Sequence, residues 1–442
     1  MRDAPRRTAY DVVLAVERDD AYANLLLPRL SRERALDRRD AAFAAELAYG
    51  TLRWQGVLDD VIAAAARRPA ETLDPPVRAV LRVGAYQLLH LRTPAHAAVH
   101  ATVELARSVA GPKPVGFVNA VLRKISQADW ETWVRRLAPA DARGALAFRY
   151  GYPRWIVDAI ATALGSDDEL AAALAEDRPV THLVARPGRM SRDELLAEAG
   201  EGAQPGPWSP YAVRLAGGGD PGAIASVRSG AAAVQDEGSQ LVALALARVA
   251  PVTPGERWLD LCAGPGGKAA LLHGLLPDSG RLLAAELHPH RARMVADALG
   301  TPGAVVADGT VPAWASGTFD RVLVDAPCTG VGALRRRPEV RWRRRPEDVD
   351  RLRPLQDRLL KSALDAVRPG GVVAYVTCSP VPAETTEVVT AVLGRSPGVE
   401  LIDPRPLFPD LPDAGTPAYL QLWPHRHGTD AMFLSLLRNG PA

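Results

Sequence analysis

Apolar positions along this chain follow two periods. Through Ala41–Ala66, Val77–Leu91, Ala97–Val109 and Val115–Ile125 they recur three and four residues apart, the spacing of one buried helical face. Pro75-Pro76, Thr93-Pro94 and Gly111-Pro-Lys-Pro114 mark helix boundaries between them. No convincing alternating run interrupts this region, so residues 1–136 are expected to form an all-α bundle. From Val234 onward short strand-like runs alternate with helical segments: Arg257–Cys262, Arg281–Glu286, Ala304–Ala307, Arg321–Asp325, Val372–Thr377 and Met432–Leu437. That alternation predicts a doubly wound, mostly parallel α/β sheet over residues 234–442. The stretch between is mixed. Pro153–Leu164 and Asp167–Ala175 read as helices, Thr181–Arg186 and Tyr211–Leu215 as short strands, and Gly217–Gly222 as a turn. Residues 137–233 are therefore expected to be a small α/β linking subdomain.

Composition narrows the class. Of 442 residues, 47% are hydrophobic and 24% charged, as in a soluble globular protein of two or three domains. No run of 18 apolar residues is present, so no membrane association is expected. No apolar segment follows Met1-Arg-Asp-Ala-Pro-Arg-Arg, so a secretory signal is not expected either. Three cysteines make no disulfide framework, which favours a reducing, cytoplasmic setting. A net charge of +2 points to no partner by itself.

The three cysteines each close a strand-like run. Cys262 lies in Leu259-Asp-Leu-Cys-Ala-Gly-Pro-Gly-Gly-Lys268, Cys328 in Val322-Leu-Val-Asp-Ala-Pro-Cys-Thr-Gly330 and Cys378 in Val373-Ala-Tyr-Val-Thr-Cys-Ser-Pro380. Parallel α/β sheets place ligands at the carboxyl ends of strands, so three thiols at three such ends can share one crevice. A lone free cysteine is more often an inert core residue. Two of them next to prolines, beside Asp325, favour chemistry instead. The turn Gly264-Pro-Gly-Gly267 precedes a helix and lets a ligand approach the backbone. It has neither P-loop nor G-x-G-x-x-G spacing, which suits a nucleoside without a pyrophosphate, such as S-adenosylmethionine. Glu286 falls where a ribose-binding acid is expected. Asp308, next in line, is either an adenine contact or a turn aspartate.

These parts suit methylation at C5 of a pyrimidine. A thiolate adding at C6 breaks the ring's aromaticity and makes C5 nucleophilic, and a carboxylic acid sharing a proton with N3 assists. The three motifs together resemble the Sun/Fmu-type RNA cytosine-5 methyltransferases over about 200 residues. The resemblance implies a Rossmann-like, S-adenosylmethionine-dependent domain in which Cys378 is the nucleophile and Cys328 serves product release. It implies cofactor contacts at Cys262, Ala263, Gly264, Pro265, Gly266, Gly267, Lys268, Glu286, Asp308 and Asp325, with Asp325 also near the target base. Two departures stand out: Gly264 replaces the usual alanine, and Glu384-Thr-Thr-Glu387 replaces an acidic-Asn-acidic element. At the end of the chain, His427-Gly-Thr-Asp430 matches the family pattern, while Ala-Met-Phe follows it in place of the usual Gly and aromatic residues.

The helical region resembles the RNA-binding NusB antitermination factor through Ala79–Leu89, Pro94–Val99 and Phe117–Arg123. This pairing of domains implies a bacterial enzyme acting on a cytosine of 16S rRNA, expected to be a monomer. The rivals are a tRNA cytosine-5 methyltransferase and a non-catalytic RNA-binding ribosome-assembly factor. Arg335–Arg353 holds nine arginines and Trp342. It reads either as a solvated helix or as a phosphate-gripping rim, and the rim is expected, with Arg335, Arg336, Arg337, Arg341 and Trp342 contacting RNA. His96 and His100 are four apart without a third ligand, so no metal site is expected.

Overall fold

The computed structural model describes residues 3–176, 178–215, 220–311 and 313–440, so Gly217, Gly218 and Gly219 of the expected turn lie outside the described residues. The chain divides into two compact units. One comprises Met1–Ala161, Ser166–Ala175 and Arg336–Arg345; the other comprises Thr162–Gly165, Glu176–Arg335 and Pro346–Ala442. The expected boundary at residue 136 falls inside the helical unit, which runs on through Trp130–Leu137, Ala142–Tyr150 and most of Arg154–Leu164.

The helical unit follows its 3.6-residue pattern. Helices Ala4–Arg18, Arg38–Ala66, Pro75–His90 and Val115–Ile125 enclose a core that includes Leu47, Leu52, Leu58, Ile62, Leu81, Leu122 and Ile125. Asp37 caps the longest helix by accepting from Asp40 N at 2.8 Å, and Pro75 occupies the first turn of Pro75–His90, where its missing N–H costs nothing. Arg82 is buried because Asp59 takes both arms of its fork, at 2.7 Å each, and Glu17 accepts a third bond at 2.8 Å.

The second unit contains two sheets. The smaller, from the middle of the chain, is antiparallel: β1 (Thr181–Ala185), β2 (Ala203–Pro205), β3 (Ala212–Leu215) and β4 (Ala232–Val234), in the order β2-β3-β1-β4. It packs Leu183, Val213 and Ala232 on Leu195 of the helix Arg192–Ala199. The larger sheet has β5 (Arg257–Asp260), β6 (Arg281–Glu286), β7 (Ala304–Val306), β8 (Phe319–Asp325), β9 (Val367–Thr377), β10 (Val399–Ile402), β11 (Gly415–Thr416), β12 (Tyr419–Gln421) and β13 (Phe433–Asn439). Its order is β11-β12-β13-β9-β8-β5-β6-β7, with β10 paired to β13. The pairs among β5 to β9 are parallel, while β10 to β13 add an antiparallel half.

Neighbouring residues of the central strands face opposite layers, as period-2 geometry requires. Trp258, Leu323 and Ala374 join the core beneath helices Glu237–Arg248, Gly267–Leu275 and Pro289–Leu299. Leu259, Val322, Val324, Val373 and Tyr375 join the core beneath Pro346–Ala366 and Thr386–Leu393. Strand order reverses between β5 and β8, which opens a crevice at their carboxyl ends. Among the described residues, no helix is long and apolar enough to cross a membrane.

Candidate active site

Five adjacent parallel strands bring the candidate residues to one edge. In the order β9-β8-β5-β6-β7, the ends present Cys378, then Asp325 and Cys328, then the loop 262–268, then Glu286, then Asp308.

The loop after β5 is tied down by Ala263 N donating to Ala285 O at 2.9 Å and Gly266 N donating to Ala263 O at 2.7 Å. Gly266 has φ +110°, and a Cβ there would lie 2.7 Å from Ala298 Cβ, so glycine is required. Gly267 then opens the helix that carries Lys268. Glu286 is buried at the end of β6; Oε2 accepts from Gly264 N at 3.2 Å and Oε1 from His288 N at 3.0 Å. Arg291 donates to Gly264 O at 2.6 Å and lies 3.5 Å from Glu286 Oε2. A Cβ at Gly264 would meet that carboxylate oxygen at 2.2 Å, so in this chain the glycine makes room for a Glu286–Arg291 clasp. Asp308 is exposed and forms the turn, its Oδ1 accepting from Thr310 N and Oγ1, both at 2.8 Å. Its second oxygen takes no part in that turn.

Lys268 and Asp325 form an ion pair of 2.7 Å between the loop and the end of β8. Burial opposes the Lys268 charge, but Asp325 outweighs it and holds the ammonium above its ordinary pKa. Asp260, the last residue of β5, is not among the expected site residues. It is fully buried, and neither carboxylate oxygen has a hydrogen-bond partner of ordinary geometry. Burial first, then the Asp325 charge, push its carboxyl up to about 7. An orphaned acid at the foot of a ligand loop was the available signal, since a strand interior rarely spends a position on aspartate.

The two catalytic thiol candidates are neighbours: Cys328 Sγ lies 3.4 Å from Cys378 Sγ. Their environments separate them. The hydrogen bond from Cys328 lowers Cys378 despite burial, with Lys268 assisting. That same bond, then burial and the Cys378 and Glu384 charges, raise Cys328 well above an ordinary thiol. These opposed shifts favour Cys328 as the donor and Cys378 as the accepting sulfur. Burial also raises Cys262, which stays a protonated part of the loop.

Much of the arginine run lies inside the protein and not on an RNA-facing rim. Arg335 is buried, with Nε on Asp430 Oδ1 at 2.8 Å and Nη2 on Gly428 O at 3.0 Å, so it anchors the His427–Asp430 turn. Arg341 is fully buried in the helical unit, donating to Gly151 O at 2.9 Å with its guanidinium 3.5 Å from the centre of the Tyr152 ring. Trp342 Nε1 donates to Arg53 O at 3.0 Å, and its ring lies where a Cβ on Gly56 would come within 2.2 Å. These three side chains are occupied by protein and do not present themselves to phosphate or base. Arg337 is exposed and Arg336 half-buried. Gly56, inside the long helix Arg38–Ala66, was a legible sign that something packs closely there.

A family model described as 16S rRNA methyltransferase RsmB/F matches residues 247–438, and one described as NusB family matches residues 3–127. Ribosomal RNA small subunit methyltransferase B of Pseudomonas putida is 34% identical, over 90% of this chain and 91% of its own. The chain belongs to the RsmB/F family of 16S rRNA methyltransferases. The Mycobacterium tuberculosis protein Rv1407, which carries a provisional methyltransferase name, is 53% identical over 99% of this chain and 96% of its own. The crystal structure of PH0851 shares the fold, with a TM-score of 0.82 at 23% identity over 98% of each chain.

The RsmB/F family depends on S-adenosylmethionine, and this site's donor set fits that molecule. Glu286 suits ribose hydroxyls, and the loop backbone ahead of Gly267 can lie along the nucleoside. Asp260, Glu286 and Asp325 end three neighbouring strands, a set of carboxyl groups that suits a cofactor carrying an ammonium and a sulfonium. The orphaned Asp260 carboxyl is the observation that asks for such a charge.

Proposed function

We propose that this chain methylates C5 of a cytosine in 16S rRNA and that Cys378 does so by adding to C6 of the base. The observation that carries the reading is the thiol pair, 3.4 Å apart and electrostatically coupled to Lys268 and Asp325. Methyl transfer to a nitrogen or a hydroxyl needs no thiol. Activating C5 needs one thiolate to attack, and a second thiol hydrogen-bonded to it has a use when the first must leave.

The target base leaves any stack before it reaches the crevice. Cys378 adds as thiolate to C6, while Asp325, protonated from solvent, shares its proton with N3 and is oriented by Lys268, which donates to its Oδ2 at 2.7 Å. S-adenosylmethionine, held by residues 262–268, Glu286, Asp308 and Asp325, supplies an electrophilic methyl group. A water molecule takes the C5 proton, the N3 proton returns to Asp325, and Cys378 leaves as thiolate to restore the ring, with the Cys328 S–H stabilising the departing sulfur. Arg336 and Arg337 remain as RNA contacts on the segment after Cys328. All the named groups come from one chain, so a monomer suffices.

The NusB-family module favours rRNA over tRNA as the substrate. Mapping 5-methylcytosine across total RNA with and without the gene tests this. The reading expects loss of a 16S rRNA cytosine mark. Loss confined to tRNA would replace it with the tRNA reading, and no loss at all would make the chain a binding factor.

A further inference from the structure

The loops that carry the two thiols meet on one carboxylate, the first residue of the departing element Glu384-Thr-Thr-Glu387. Glu384 ends the short turn Pro382–Glu384 and is fully buried. Its Oε1 accepts from Thr329 N at 2.7 Å and from Gln356 Nε2 at 3.2 Å; its Oε2 accepts from Thr329 Oγ1 at 2.5 Å and Ser379 Oγ at 2.6 Å. Thr329 follows Cys328 and Ser379 follows Cys378. Two further ties frame the arrangement. Gln356 Nε2 also donates to Pro327 O at 2.9 Å, and Tyr375 of β9 donates its hydroxyl to Glu384 O at 2.8 Å.

A buried carboxylate is costly unless its lone pairs are filled, and here four donors fill them. Three of the four come from the residues directly after the two cysteines. A core acid serving only the fold has no reason to find its donors there. Its charge also lies on the Cys328 side, where it opposes a second thiolate.

We propose that Glu384 is a positioning residue for the two-thiol reaction: by bonding Thr329 and Ser379 at once, it sets the spacing at which the Cys328 S–H donates to the Cys378 sulfur. The proposal rests on Cys378 being the nucleophile. It explains how the Cys378 loop is held although Glu384-Thr-Thr-Glu387 departs from the family pattern.

The test compares Glu384→Ala, Glu384→Gln and Thr329→Val with the intact chain. Alkylation of Cys378 and Cys328 by iodoacetamide is followed by peptide mass spectrometry from pH 6 to 9, beside kcat, KM and melting temperature. In Glu384→Ala, kcat should fall on the order of 100-fold while KM for cofactor and RNA stays within about threefold. Cys378 alkylation at pH 7 should slow about tenfold, and its preference over Cys328 should vanish. Glu384→Gln should recover part of both, because the Thr329 and Ser379 hydroxyls can turn to accept from an amide. Thr329→Val removes a single hydroxyl without changing shape and should move both in the same direction by less. It carries the test if Glu384→Ala does not fold. The proposal is overturned if Glu384→Gln and Thr329→Val keep the wild-type alkylation preference and pH profile and lose only melting temperature. Alkylation is read without RNA or cofactor, so a wrong substrate assignment does not disturb this result.

Discussion

The edge formed by residues 262, 325, 328 and 378 and the run Arg335–Arg345 are both dense in chemistry-bearing side chains, and they use them in opposite ways. At the sheet edge, strand order gathers residues from distant parts of the chain, and their interactions unbalance them: one thiol is lowered, its neighbour raised, and one carboxyl raised by burial. In the arginine run, Arg341 and Arg343 settle on backbone carbonyls and Trp342 fills the slot beside Gly56. The difference teaches that residue type alone does not announce function. A reactive group shows itself by an unsatisfied or opposed environment, whereas a structural charge is satisfied.

The comparison can be broken at either end. The largest effect is expected at Lys268→Met, which removes the cation from both Asp325 and Cys378. Methyl transfer should fall on the order of 10²–10³-fold, with melting temperature little changed. A loss below tenfold would take Lys268 out of the site. On the other side, Trp342→Ala should destabilise the helical unit by about 2 kcal/mol in urea unfolding. Arg341→Met should leave the salt dependence of RNA binding unaltered, whereas exposed Arg337→Ala should lower its slope by about 0.7 to 0.9. A reduced slope in Arg341→Met would restore that residue to the RNA-binding set. A further test concerns Asp260. Its folded value of about 7 lies above the ordinary carboxyl value of 3.8. The native state therefore holds a proton between those values that the unfolded chain has released, so stability falls as pH rises from about 4 to 7 and then levels. Asp260→Asn should flatten that slope. An unchanged slope would show that Asp260 is ionised in the native protein.

Much of this was legible because strand ends carry sequence marks. Arg281–Glu286 was read with both of its bounds, and Cys378 and Asp325 fall at strand ends as the alternation indicated. β9 begins earlier than expected, at Val367, because Pro369-Gly370-Gly371 looks like a turn but is absorbed at a register shift against β8. Of the antiparallel half only β13 was read, as Met432–Leu437, since β10, β11 and β12 are only two to four residues long. The element containing Glu384 was noticed, but not the partners of its carboxylate, because Ser379, Gln356 and Thr329 lie 5, 28 and 55 residues away. Burial of Arg335 and Arg341 escaped because a run of arginines gives no sign of which carbonyls and acids will meet it.

The central claim is that the two adjacent thiols have unequal jobs. The most direct test incubates Cys378→Ala and Cys328→Ala proteins with substrate RNA and S-adenosylmethionine and resolves them on a denaturing gel. The account predicts that Cys378→Ala binds the cofactor, transfers no methyl group and forms no adduct, while Cys328→Ala accumulates a persistent protein–RNA adduct. Methyl transfer by Cys378→Ala, or free turnover by Cys328→Ala, would contradict it.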